Sequence, residues 1–339
     1  MSDMKHLWLA SLCAVILVIS APGRAFLQSA EQGGKTREIT SNDFAKARPA
    51  QSAGQSAGKN PPVAPRRRRI YRLAKTESAP ARKRRNNNAL RPNAAAGPAR
   101  VNRTKPGRVD LVQQLIGITL WRLRPSTAED DGPFIRVAGA SGKPEMWTPV
   151  RVGADHRFVL GDLVRLTVES PRSGYLYVID RELHADGSLG DPMLIFPTKR
   201  TRDGDNRVEA GRLIDIPSWA DRTPFFLLKA QHPKYSGELL TFIVSPEPLS
   251  DLTIGQGPLS LDRSRVERWE DEWGTDADLY EMEGGVGETQ TKAEQEASRP
   301  RTRQLTQEEP VPQTIYRLTL REGSPLLVNV AVRVSRPNN

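Results

Sequence analysis

The sequence predicts an all-β protein: an antiparallel two-layer β-sandwich with a short helical insertion, preceded by a disordered tail. Three observations carry this reading. Beyond residue 110, short runs alternate apolar and polar residues, as in Val164, Leu166 and Val168 against Arg165, Thr167 and Glu169. A period of two with one polar face is the mark of a half-buried antiparallel strand. Turn chemistry separates the runs: Pro171-Arg172-Ser173-Gly174 reads as a hairpin, and Asp186-Gly187 and Asp203-Gly204-Asp205-Asn206 as further turns. Finally, helices do not alternate with strands, which disfavours a parallel α/β sheet.

The chain opens with a targeting pattern. Met1 to Lys5 carry a positive charge, Leu7 to Ile19 are apolar, and small residues follow up to Ala25. This is the layout of a bacterial-type secretory signal spanning residues 1–25, and the run is shorter than the ~20 residues of a membrane span. The alternative is an uncleaved signal anchor. Export implies a periplasmic or cell-envelope location. The single cysteine, Cys13, falls inside the apolar run, so no disulfide, thiolate metal site or cysteine nucleophile exists beyond it.

Residues 26–110 form a basic linker rich in Pro, Ala and Arg that cannot bury enough surface to offset its chain entropy, and disorder is expected. The basic excess behind the chain's formal net charge of +10 lies in this part. Arg66, Arg67, Arg68 and Arg69 make one run, and Arg82, Lys83, Arg84 and Arg85 a second, while the rest of the chain is mildly acidic. Such runs attract polyanions: an anionic envelope polymer, a lipid surface or nucleic acid. Nucleic acid fits poorly, because export removes the chain from the cytoplasm and Tyr71 is the only aromatic residue near the runs. A plain solvated spacer is the competing reading.

The family core of the sandwich spans residues 111–250. Its strands are expected at Leu115–Arg124, Phe134–Val137, Leu163–Ser170, Gly174–Arg181, Met193–Phe196, Arg207–Ile216, Pro224–Ala230 and Leu239–Ser245. An acidic insertion occupies residues 251–312. Ser264 and Glu267 suggest a capping box, and Val266, Trp269 and Trp273 recur at helical spacing, which predicts a helix over 262–273 whose tryptophans cover core. Thr291 and Glu294 suggest a second box, within a mobile loop over 284–307 holding at most one helical turn. Residues 313–339 then supply Ile315–Leu320 and Leu326–Val334, completing the sandwich.

Gly161-Asp162-Leu163-Val164-Arg165-Leu166, Gly174-Tyr175-Leu176-Tyr177-Val178-Ile179-Asp180, Leu194-Ile195-Phe196-Pro197 and Gly237-Glu238 resemble motifs of the bacterial domain of unknown function numbered 4384, over roughly residues 115–250. The resemblance implies a mostly-β domain attached to exported or envelope proteins. It implies no established activity and transfers no catalytic residue.

The searches for chemistry return little. His156, His184 and His232 have no neighbour at metal-ligand spacing, and neither a nucleophile elbow nor a phosphate loop is present. No metal or cofactor is expected. Asp180, Asp186, Asp191, Asp203 and Asp205 read as turn residues rather than calcium ligands. Tyr175 and Tyr177 are a candidate ligand surface for a glycan or peptide, with core packing as the alternative. The functional expectation is a noncatalytic envelope-associated binding or scaffold module, tethered by the basic linker to an anionic polymer or lipid surface or to another envelope protein. The alternatives are a glycan-acting enzyme built on Asp180, Glu182 and Asp203, and polyanion or nucleic-acid binding through the tail.

Overall fold

A computed structural model of the chain describes residues 44, 45, 48, 110–139, 142–282, 284–299, 305–307 and 310–335. The signal segment and both arginine runs lie outside the described residues. Strands β1 (Leu111–Pro125), β2 (Ile135–Ala138), β3 (Pro144–Val152), β4 (Arg157–Val159) and β5 (Leu163–Glu169) come first. They are followed by β6 (Gly174–His184), β7 (Met193–Phe196), β8 (Arg207–Val208), β9 (Leu213–Ile216), β10 (Phe226–Leu227) and β11 (Tyr235–Ser245). The insertion contributes β12 (Leu259–Ser260), helix α1 (Arg263–Trp273), β13 (Ala277–Glu281) and helix α2 (Lys292–Ala297), before β14 (Thr314–Arg321) and β15 (Leu326–Ser335).

These strands make the two layers of a sandwich. Sheet 1 runs β10-β5-β1-β14-β13, with β9 beside β5 and β2 reaching β1 through β3; sheet 2 runs β12-β7-β6-β11-β15-β4, with β8 beside β6. The ladders are antiparallel except that of β4 with β15, which is parallel. Alternation builds the core between the layers. Ile116, Ile118, Leu120, Val164, Leu166 and Val168 from sheet 1 meet Leu176, Val178, Phe242, Val244, Val328 and Val330 from sheet 2, all buried. Each such side chain, taken from water, is worth about 1.5–3 kcal/mol.

Several expectations need correction. Pro171–Ser173 does not close a hairpin, because β5 belongs to sheet 1 and β6 to sheet 2. The turn carries the chain between layers instead. The expected single strand 207–216 is likewise two strands in different sheets, with Glu209–Arg212 crossing over at Gly211 (φ 72°). Pro144 and Pro149 concealed β3, yet that strand pairs with both β1 and β2, and Pro224–Ala230 contributes only the two residues of β10. Part of the acidic insertion also joins the sandwich, since β13 extends sheet 1 beyond β14.

The helices form where periodicity placed them, with one change of cap. Asp262 caps α1 by accepting from the Ser264 amide, so the Ser264–Glu267 box does not form. The Thr291–Glu294 box does form and opens the six-residue α2. On α1, Trp269 and Trp273 stack 5.7 Å apart and cover the outer face of sheet 2 with buried Val266.

The outer face of sheet 1 is the larger departure. Arg165, Thr167 and Glu169, expected to be wet, are 0 %, 4 % and 2 % exposed. Glu294, Ser298 and Val311 from the stretch after β13 fold over this face, and so do Phe44, Ala45 and Arg48 from the segment expected to be disordered. Phe44 and Ala45 are buried with Tyr280, Met282, Val311 and Ile315. Gly117 permits the approach: a Cβ there would meet the Pro312 ring at 2.2 Å and the Phe44 ring at 3.3 Å.

Candidate functional site

Three groups of side chains stand out once the layers are placed. The first lies on the inner face of sheet 2 toward the end of β6. Asp180 and Glu182 are in phase with the core residues Leu176 and Val178, and Glu238 is in phase with Leu240 and Phe242 on β11. The register sets Glu238 opposite Glu182 and Leu240 opposite Asp180. Three carboxyls are therefore carried by positions where alternation would put apolar side chains.

Asp180 and Glu238 are close enough to act on each other's ionisation, and no donor reaches Asp180 Oδ1 or Glu238 Oε2. One proton held between the two carboxyls satisfies both oxygens, which a pair of anions could not do. Burial is the main cause that raises Asp180 to about 6, with the negative Glu182 adding to it. Burial, then the charge of Asp180, raises Glu238 to about 9. The Tyr235 hydroxyl donates to Glu238 Oε1 at 2.7 Å, and burial first, then the Glu238 charge, pushes this phenol well above its ordinary value, so it remains a donor.

Around this pair, the Gln231 amide donates to Glu182 Oε1 at 2.7 Å and the His184 ring lies 3.4 Å from Glu182 Oε2. The His184 and His232 rings stack 4.2 Å apart. Of the three carboxylates proposed for glycan chemistry, the fold brings Asp180 and Glu182 together. Asp203 is elsewhere, on an exposed 3₁₀ turn before β8, which pairs with the opposite end of β6. Two open cavities, of about 210 and 330 Å³, are lined by other side chains.

The pair has a measurable consequence. Each carboxyl binds its proton more tightly folded than unfolded, so the stabilisation is complete below the unfolded values near 4 and is lost as pH rises toward about 9. Each tenfold preference for the proton is worth about 1.4 kcal/mol. The wild type is expected to lose at least about 2 kcal/mol of unfolding free energy between pH 5 and pH 9. Glu238→Gln, whose amide replaces the shared proton with a fixed donor, should flatten that slope in urea titrations. Equal slopes for the two proteins would refute the shared proton.

The second group is the buried polar face of sheet 1, whose hub is Asp215 on β9. Thr167 Oγ1 donates to Asp215 Oδ1 at 2.6 Å and receives the Trp121 indole N–H at 2.7 Å. Ser298 Oγ donates to Asp215 Oδ2 at 2.7 Å, and the Arg165 guanidinium sits 3.5 Å from the same oxygen while lying over the Trp219 ring at 4.3 Å. Nearby, Arg151 pairs with Glu294 of α2. This network belongs to stability: it joins β1, β5 and β9 and ties Ser298 and Glu294 of the covering segment to the sheet.

Arg48 completes that face. Its guanidinium grips Glu169 with Nε at 2.7 Å and Nη2 at 2.6 Å, and it also donates to the carbonyls of Thr306 and Pro310. Both partners are nearly inaccessible, at 1 % and 2 % side-chain exposure. A planar two-point grip of this kind is specific to arginine.

Tyr175 and Tyr177, the candidate ligand surface, are the third group. They point to the outer face of sheet 2, which the insertion covers. Tyr177 is 4 % exposed and its hydroxyl accepts the Leu249 amide at 2.9 Å; Tyr175 packs on the same cluster. Tyr177 is thus a core side chain, and Tyr175 is half-buried against it. Asp186 and Asp205 close turns by accepting the amides two residues on, as the turn reading expected. No group of three or more metal-ligating side chains is assembled among the described residues.

Sequence reasoning missed Glu238, Tyr235 and Arg48. A signal existed for the first: an acid occupying an apolar phase of alternation, as in Glu238-Leu239-Leu240, is either paired or protonated when folded. Nothing local marked Arg48, whose partner is 121 residues away. No family model, curated protein or solved structure matches the chain. The resemblance described above thus rests on its motifs alone.

Proposed function

We propose that this chain is a noncatalytic binding or scaffold module of the bacterial cell envelope, held to an anionic polymer or lipid surface by Arg66–Arg69 and Arg82–Arg85. The observation that carries the reading is the Arg48 clamp. With Arg48 buried on Glu169 and Asp110 leading into β1, residues 49–109 connect two points of the same domain. Both arginine runs therefore belong to a long connection fastened at each end, and only residues 26–43 separate the domain from the expected signal cleavage site. The two runs supply eight cationic side chains, each worth roughly 1 kcal/mol beside an anionic membrane.

The covered sheet faces fit a scaffold. The first part of the insertion lies on sheet 2, and Phe44, Ala45, Arg48, Glu294, Ser298 and Val311 lie on sheet 1, so recognition falls to loops and to the basic connection. The test compares the full chain with a variant carrying alanine at Arg66–Arg69 and at Arg82–Arg85. Retention on envelope extract at low salt is expected to fall more than tenfold, and the wild type should itself be released by salt. Unchanged retention of the variant at low salt would reject the reading.

A further inference from the structure

The β4–β5 turn is a second contact surface that the basic tail does not explain. Val159 and Leu160 stand at its tip with 49 % and 45 % of their surface exposed, and Leu227 of β10 is 54 % exposed. The chain turns there through Gly161, at φ 92°. Backbone bonds tie the two segments together: the Gly161 amide donates to the Leu228 carbonyl at 2.9 Å, and the Leu228 amide to the Asp162 carbonyl at 3.0 Å. Leu228 faces the core, so its neighbour Leu227 faces out beside the turn. Among the described residues the other exposed large apolar side chains lie elsewhere: Leu111 on β1, Phe134 just before β2, Met146 on β3 and Val286 in the loop after β13.

The charges around the tip differ in availability. Arg157 and Lys229 are exposed, and Arg122 has 42 % of its side chain exposed. Two acids share this end. Asp162 is mostly covered, its Oδ2 accepting the Val159 amide at 2.9 Å and its Oδ1 lying 3.9 Å from Arg122; Asp155 is exposed. The apolar tip is thus flanked on both strands by outward cations, while one of its two acids is engaged in shaping the turn.

We propose that Val159, Leu160 and Leu227 form an insertion tip for an anionic lipid leaflet, with Arg157, Lys229 and Arg122 at the headgroup level. Apolar side chains that enter the acyl boundary beneath a ring of cations gain both burial and attraction to anionic lipid. A second copy of the chain suits the surface less, because a twofold contact would set Arg157 and Lys229 against their own counterparts. The inference deepens the envelope reading and rests on it. It also places the lipid contact at the opposite end of β5 from Glu169, where Arg48 is clamped.

The test uses the full chain with Cys13→Ser and Leu160→Cys, labelled at residue 160 with a polarity-sensitive fluorophore. Vesicles of phosphatidylcholine containing phosphatidylglycerol should shift its emission to the blue. Phosphatidylcholine alone should not, and the shift should persist when Arg66–Arg69 and Arg82–Arg85 are alanine. The triple variant Val159→Asp, Leu160→Asp, Leu227→Asp should sediment with anionic vesicles at least tenfold less than wild type, with an unchanged thermal midpoint. A label that stays in water, or a triple variant that sediments like wild type, overturns the inference. If the alanine variant alone loses sedimentation, this inference fails and the tail-based reading survives; if neither variant differs from wild type, both fail. A blue shift that grows with protein concentration without vesicles would assign the tip to self-association and reject the lipid contact.

Discussion

Replacing Asp215 with alanine is expected to cost about 3–5 kcal/mol of unfolding free energy, the cost of leaving a buried charge without its partner. Asp215 takes hydrogen bonds from Thr167 and Ser298 and faces the Arg165 guanidinium, which is fully buried. Without it, Arg165 would keep the Pro224 carbonyl, the Trp219 ring and the more distant charge of Asp221. Burial already works against the charged form of Arg165, and Asp215 is the largest opposing influence. A loss of this size is a large part of the ~5–15 kcal/mol that holds a typical domain together. The thermal midpoint should fall by roughly 10 °C.

The double variant Arg165→Met, Asp215→Leu separates charge from packing. Apolar residues in place of a buried pair are often neutral or stabilising, so the double variant should recover most of the loss. Denaturant titrations of the three proteins decide the matter. A single variant within about 1 kcal/mol of wild type would mean that water reaches Arg165, and the sealed-face account of sheet 1 would fall.

Arg48→Ala carries the next largest effect, about 3 kcal/mol, through a different route. Glu169 would be left buried without its bidentate partner, and the chain can relieve that by releasing the segment and admitting water. Two readouts should therefore move together: lower stability, and faster cleavage by trypsin in the basic stretch just after residue 48. The charge exchange Arg48→Glu, Glu169→Arg should restore part of both, because the grip is reciprocal even though the forked geometry changes sides. If stability falls and cleavage is unaltered, the segment is held by Phe44 alone. If neither changes, the clamp contributes nothing and the tail is fastened only at Asp110.

The sequence carried the sandwich well where one strand could be judged by itself. Val164-Arg165-Leu166-Thr167-Val168 alternates strictly, while the runs through β6, β11 and β15 are apolar on both faces for part of their length, and each forms a strand. The helix α1 was equally legible, because Val266, Trp269 and Trp273 repeat at helical spacing inside a polar stretch. Alternation reports which residues share a face, and it is silent on what lies over the second face. Arg165, Thr167 and Glu169 looked solvated because their partners, Asp215 and Arg48, are 50 and 121 positions away. The same silence applied to Tyr175 and Tyr177, which the insertion covers from more than 70 residues downstream.

Local pattern also could not say which layer a strand joins. Pro171 to Ser173 has the composition of a hairpin loop, yet it passes between sheets, because β5 pairs with β1 and β6 pairs with β11. That choice is made by matching whole strands across long separations, and it brings Glu238 beside Asp180. By itself the sequence determined the β class, the strand-rich core and the position of α1, since side-chain periodicity and helix signals are local properties. Only the tertiary structure decided the layer assignments, the sealed polar face of sheet 1, the Arg48 clamp and the meeting of Asp180 with Glu238. Each of these depends on two distant segments meeting, and the free energy of a buried charge is set by the partner it meets.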